Sequence, residues 1–270
     1  MNDEEKQDKD EAPRPVQPQR PLQPQRRAIV VGASSGIGAA LVHELARRDY
    51  VVAALARRQE RLQEICREAE RIPGRGQTLA YKHDVTDYDQ VPERFREIVA
   101  DMGGLDVMIY VAGIQPRVAP HEYDFDKDAA IVGVNLLGAM AWLNQAAARF
   151  EQTGKGHIVG ISSISGDRGR AAFPAYHTSK GGLNIYLESL RNRLSRQGLT
   201  VTTVKPGFVQ TALLANAEKT MWVITPQEAA RQICEAIEDR RQVVYVPGRW
   251  RWIGLIIRHI PSFIFRRLSL

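Results

Sequence analysis

The sequence predicts an α/β fold, a doubly wound parallel sheet of seven strands with helices on both faces. Two observations predict it. Seven short apolar runs alternate with helical segments of ten or more residues, and the first run ends in a glycine-rich turn that opens a helix. No internal repeat interrupts the series.

Taken in order, residues 28–31 form the first run, and 38–48 show helical periodicity after the glycine turn. Residues 50–56 are the second run, followed by a charged helical stretch over 59–71. A third strand falls at 79–83 and a third helix at 88–101. The runs 107–111 and 157–161 are separated by a long helical segment over 129–150. After a further helix come 201–205 and finally 243–246. Between the last two runs, Thr225-Pro226-Gln227-Glu228 is a capping box with proline at the first helical position, so a helix starts there. In this architecture ligands bind at the carboxyl ends of the strands.

The ends of the chain read differently. Residues 1–26 are built from charged residues, glutamine and spaced prolines, which cannot bury enough apolar surface to offset their ordering entropy. A disordered tail is expected there, a folded domain over 27–248, and a basic amphipathic segment over 249–270. That last segment explains the charge. The net +6 includes seven arginines from 240 to 270, where no Asp or Glu occurs, so the rest is close to neutral. A nucleic-acid face spread over the domain is therefore not expected. Cys66 and Cys234 are too few for a disulfide framework and lack metal-ligand spacing. A polar acidic N-terminus and no run of 18 apolar residues predict a cytoplasmic chain without a transmembrane helix.

The glycine turn is Gly32-Ala33-Ser34-Ser35-Gly36-Ile37-Gly38. Gly32 permits the sharp turn, Gly36 close approach of a pyrophosphate, and Gly38 tight packing of helix on strand. Exposed amides and the positive end of the helix dipole then meet the anion. At the end of the second strand stand Arg57 and Arg58, with no carboxylate to bind a free ribose 2′-hydroxyl. Arginine there can pair with a 2′-phosphate, which predicts NADP(H) rather than NAD(H), Arg57 being the better placed of the two. Tyr176 and Lys180, four residues apart in a helix, project the same way. The ammonium is expected to lower the phenol pKa from ~10 toward working pH.

The glycine spacing is where the chain resembles a family, the single-domain short-chain dehydrogenases/reductases, whose fold is Rossmann-like. The likeness covers about residues 27–246. It implies an oxidoreductase that interconverts a carbonyl and an alcohol by hydride transfer, with Tyr176 as general acid–base. The family's catalytic serine falls 13 residues before the tyrosine, on Ser163 rather than Ser162. Lys180 would also bind the nicotinamide ribose, and Asn135 would anchor a water for proton relay. The resemblance further implies cofactor contacts from Ser34, Ser35 and Ile37 in the turn, from Asp84 and Val85 after the third strand, and from Ala112 and Gly113 after the fourth. Pro206, Gly207, Val209 and Thr211 would pass the nicotinamide. Two family positions depart from the pattern: Val31 stands where a threonine is usual, and Tyr110-Val111-Ala112-Gly113 replaces Asn-Asn-Ala-Gly.

The resemblance also implies a homodimer or homotetramer, with the tyrosine helix at an interface, and a substrate lid over 213–224. Leu213, Leu214, Met221 and Trp222 give that lid an apolar character, which points to a hydrophobic small-molecule substrate. A catalytically silent NADP-binding regulator of the same fold is the competing reading. The complete Ser163–Tyr176–Lys180 set argues against it. In 249–270, arginines segregate from Trp250, Trp252 and a broad isoleucine and phenylalanine surface, with Pro261 as a kink. That pattern predicts a membrane-surface helix, the alternatives being a cover for the active site or a subunit interface.

Overall fold

The computed structural model describes residues 25–268, except 75, 120 and 217–219. The disordered tail expected over 1–26 therefore lies almost wholly outside the described residues. Seven strands run parallel: β1 (Arg27–Val31), β2 (Val51–Ala56), β3 (Gln77–Lys82), β4 (Val107–Tyr110), β5 (His157–Ile161), β6 (Thr200–Pro206) and β7 (Val243–Val246). Their spatial order is β3-β2-β1-β4-β5-β6-β7. The order reverses between β1 and β4, which opens a crevice at the carboxyl ends of those strands.

Each central strand is buried on both faces, which is why it reads as a continuous apolar run. Ala28 and Val30 face one core layer, packed by α1 (Gly36–Arg47), α2 (Gln59–Glu70) and α7 (Pro226–Glu238). Ile29 and Val31 face the other, built with α3 (Val91–Asp101), α5 (Gly138–Thr153) and α6 (Pro174–Leu194). The capping box behaves as the sequence predicts, with the Thr225 hydroxyl accepting from the Glu228 amide at 3.1 Å. Strand β3 starts at Gln77, two residues ahead of the apolar run. It is an edge strand, half exposed, so its first residues carry no apolar signal.

The long helix is more elaborate than its periodicity suggests. It begins with α4 (Phe125–Val132), whose start is polar because the Asp124 carboxylate caps the Asp126 and Lys127 amides at 3.0 and 3.1 Å. A π-helical turn (Gly133–Leu137) links α4 to α5, which stops at Gly154 in the left-handed conformation. By length and composition Phe125–Thr153 could cross a membrane, yet half of its apolar stretch is buried. Trp142, Leu143, Ala146 and Phe150 are core residues, so this is an interior helix. After β7 the chain forms α8 (Trp250–His259), breaks at Ile260 and Pro261, and ends in α9 (Ser262–Phe265).

Candidate active site

The glycine turn closes against the neighbouring strand. Gly32 has φ +97°, and a Cβ there would lie 2.4 Å from the Ala112 amide nitrogen. A Cβ on Gly38 would meet the Gly32 carbonyl at 2.1 Å, so only glycine lets α1 start this close to β1. Ser35 stands at the helix N-cap with an extended backbone and no side-chain cap, and the first turn holds no acidic residue. The leading amides of α1 are therefore presented to an anion rather than consumed by a side chain. Ile37 packs on the core and orients the turn.

The two arginines part company. Arg58 folds over the turn, donating to the Ser34 hydroxyl at 3.0 Å and to the Ser35 hydroxyl at 2.9 Å. Arg57 is largely exposed and faces Asp84 across 3.5 Å. The Asp84 carboxylate accepts from the Thr86 amide and hydroxyl at 3.0 and 2.8 Å, so it shapes the turn after β3. Burial works to raise its pKa, but those hydrogen bonds and Arg57 outweigh it and hold the carboxyl below its usual range. The structure thus sets Arg58 against the glycine turn and Arg57 against Asp84. Val85 is buried behind Asp84.

Ser163, two residues past the end of β5, and Tyr176 come together, and the serine hydroxyl works to lower the phenol pKa. Ser162 turns away and donates to the Lys180 carbonyl at 3.1 Å, a structural contact. The Lys180 ammonium is buried and donates to the Ile161 carbonyl at 3.0 Å. Burial lowers its pKa to about 8. It lies 5.9 Å from the Tyr176 ring centre. The expectation that this ammonium depresses the phenol is corrected here. Burial raises the Tyr176 pKa above its ordinary value, and the partial relief comes from the Ser163 hydrogen bond and the charge of Arg170.

Asn135 sits in the π turn, fully buried. Its amide is held by three hydrogen bonds: the Ile114 amide donates at 2.8 Å, and its nitrogen donates to the Ile114 carbonyl at 3.0 Å and the Ser179 hydroxyl at 3.1 Å. It therefore ties the segment after β4 to the tyrosine helix. A Cβ on Gly113 would lie 3.4 Å from both Asn135 Oδ1 and the Lys180 ammonium, so Gly113 borders the site. The departures from the family pattern are neighbours: Val31 pairs with Tyr110 in the sheet register. Tyr110 is buried and donates to the Val134 carbonyl at 2.6 Å, packing the sheet against the π turn.

The segment after β6 arrives at the same crevice. A Cβ on Gly36 would meet the Thr211 methyl at 2.9 Å, which places Thr211 against the glycine turn. Val209 is buried and bridges Ile224, while Pro206 ends β6. Gly207 takes Trp250 on its side-chain side: a Cβ there would lie 2.1 Å from the Trp250 indole nitrogen. Its small size admits the C-terminal helix.

Sequence reasoning missed Arg170. Its guanidinium donates to His177 Nε2 at 3.1 Å and to the Ser165 hydroxyl at 2.8 Å, and no carboxylate pairs with it among the described residues. His177 Nδ1 faces the Phe173 carbonyl at 2.9 Å, so the ring must donate from Nδ1 and accept at Nε2. The imidazole is therefore neutral, and burial first, then Arg170, lowers its pKa to about 4. The only available signal was position, since Arg170 lies between Ser163 and Tyr176.

Comparison with known proteins follows this geometry. The model of the short chain dehydrogenase family matches residues 26–222. An oxidoreductase of Myxococcus xanthus is 38% identical over 191 residues, covering 70% of this chain and 74% of its own. A ketoacyl reductase of Nostoc is 29% identical, covering 82% and 78%. Among solved structures, a short-chain dehydrogenase from Sphingobium yanoikuyae in complex with NADPH superposes with a TM-score of 0.76 at 24% identity, covering 88% of this chain and 97% of that one. An actinorhodin polyketide ketoreductase with NADPH gives 0.74 at 24%, covering 83% and 96%.

Proposed function

Because the chain belongs to the short-chain dehydrogenase family and is an oxidoreductase, we propose that it reduces a hydrophobic carbonyl compound with NADPH, Tyr176 supplying the proton. The observation that carries this is the Ser163–Tyr176 hydroxyl pair, buried beside Lys180 and opening on the glycine turn. NADPH, when bound, supplies the hydride. The residues present fit that group. Uncapped α1 amides await a pyrophosphate, Arg58 with Ser34 and Ser35 forms a cationic, hydroxyl-lined rim for the 2′-phosphate, and Lys180 and Asn135 flank Gly113.

In the reducing direction Ser163 holds the substrate oxygen and Tyr176 donates its proton to it. A phenol pushed above ~10 is protonated at neutral pH, so it is ready as an acid rather than as a base. Tyr176 clusters with Ile131 and Ala175, and Ile114, Phe173 and Leu213 pack against that cluster, which favours an apolar substrate. The Nostoc ketoacyl reductase and the NADPH-bound neighbours support the same reading. Following NADPH oxidation across a panel of apolar ketones and aldehydes tests it; absence of turnover with every member would refute it.

Cofactor choice has its own test. Arg58→Ala is expected to weaken NADPH binding by about 10–100-fold, since it removes charge-assisted hydrogen bonds to a phosphate. NADH binding should change little. Arg57→Ala should cost NADPH less, because that side chain is 65% exposed and engaged with Asp84. Titration of both cofactors by tryptophan fluorescence measures the four combinations.

A further inference from the structure

The C-terminal helices are already docked through one face. Trp250 is buried against Gly207, with the Phe208 and Trp222 rings 5.5 and 5.4 Å away. Gly254 admits Tyr245 and Asp167. Arg168 donates to the carbonyls of Ile257 (2.7 Å) and Ile260, and its guanidinium stacks over the Phe265 ring at 4.0 Å. The residues that remain outside are thus not waiting for the domain's own core. They include Trp252 (58% exposed), Ile256 (59%) and Phe263 (61%).

A second apolar stretch adjoins them. Met221, Trp222 and Val223 of the lid are exposed, and the Arg249 guanidinium lies over Trp222 at 4.9 Å. Arg249, Trp252 and Ile256 follow one another at spacings of three and four, so they share the outer side of α8. The lid residues and the outer side of α8 therefore form one continuous surface. The charge of its C-terminal part has one sign: Arg251, Arg258, Arg266 and Arg267 are exposed around it, and no Asp or Glu occurs from 240 to 270.

We propose that this two-part surface, lid plus C-terminal helices, docks on an anionic lipid bilayer. Exposed Trp and Ile can enter the acyl boundary while arginines at the rim bind lipid phosphates. Trp is suited to that depth because its ring is apolar and its N–H polar. A second copy of the chain is the poorer occupant, because pairing this surface with itself would oppose arginine to arginine. The docking goes beyond the redox reading and stands without it.

The test is co-sedimentation of the full chain with vesicles of mixed phosphatidylglycerol and phosphatidylcholine, against phosphatidylcholine alone. Binding to the anionic vesicles that weakens with salt is expected. Arg251→Glu with Arg258→Glu should lower partitioning by roughly tenfold or more. Trp252→Ser with Ile256→Ser, and Met221→Ser with Val223→Ser, should each lower it several-fold, with unfolding midpoints unchanged. An intact chain that stays in the supernatant overturns the proposal, as do variants that bind like the parent. A concentration-dependent dimer lost in the same variants, without vesicle binding, assigns the surface to a second copy instead. Should a variant fail to fold, quenching of the parent's tryptophan emission by brominated lipid decides alone, and an unquenched signal refutes docking.

Discussion

Tyr176→Phe is expected to lower NADPH-dependent carbonyl reduction by about a thousandfold while leaving NADPH affinity within about twofold. The substitution removes one hydroxyl and keeps the ring that clusters with Ile131 and Ala175, so packing of the site survives. What is lost is the proton donor and the hydroxyl that Ser163 acts on. The parent enzyme's pH profile should carry the same chemistry. Lys180, with a pKa near 8, is cationic below that pH and neutral above it. Reduction needs a protonated phenol and gains from a neighbouring cation, so kcat should hold through neutrality and fall as pH rises past about 8. The oxidising direction needs the phenolate and should rise only at more alkaline pH, because burial holds the phenol above its ordinary value. An alkaline fall near pH 8 that survives in Lys180→Met would assign it to another group, and undiminished turnover in Tyr176→Phe would remove Tyr176 from the mechanism. The competing regulatory reading makes the opposite prediction, NADPH binding without turnover in the parent itself.

Much of this site was legible because it rests on spacing within single elements. Tyr176 and Lys180 share one helix, and Ser163 follows the strand before it at the spacing the family resemblance implies, so all three could be placed. The central strands were legible for a related reason: a strand covered on both faces must be apolar throughout, as Val30 and Ile29 are. What depended on the path of the backbone or on residues distant in sequence was not legible. Arg170 is one arginine in a polar stretch, and it reaches Tyr176 because Phe173, with φ +57°, turns the chain sharply into α6. That conformation is uncommon for a residue with a side chain, and no local motif announces it. Arg57 and Arg58 are adjacent, and only the direction in which the chain leaves β2 decides which one covers the glycine turn. Gly207 read as part of a cofactor turn, while its open side holds Trp250 from 43 residues further on.

Asp167→Asn should show how closely these distant pieces are joined, and its expected cost is about 3 kcal/mol of stability. Asp167 ends the short helical turn Ile164–Asp167 that follows Ser163. Its carboxylate pairs with Lys205 of β6, with side chains 2% and 9% exposed, and accepts from the Tyr245 hydroxyl of β7 at 2.8 Å. Removing one member of such a pair leaves a buried charge uncompensated, which costs about 3–5 kcal/mol. Asparagine still accepts from Lys205 and Tyr245, which places the effect at the lower end. A loss of about 3 kcal/mol lowers the unfolding temperature by roughly 6–12 °C in a chain of this size. Adding Lys205→Met should recover most of it, since no unpaired cation then remains. The functional consequence separates this from a purely structural lesion. Gly254 of α8 packs on the same carboxylate, and Arg168, the next residue, holds α8 and α9. Loosening the turn should therefore lower kcat through Ser163 and weaken vesicle binding together, while NADPH affinity, set by the glycine turn on β1, stays near the parent value. A variant with unchanged stability would mean that the pair carries no net energy. One that loses NADPH affinity in step with kcat would mean that the whole crevice, rather than the Ser163 turn, depends on it.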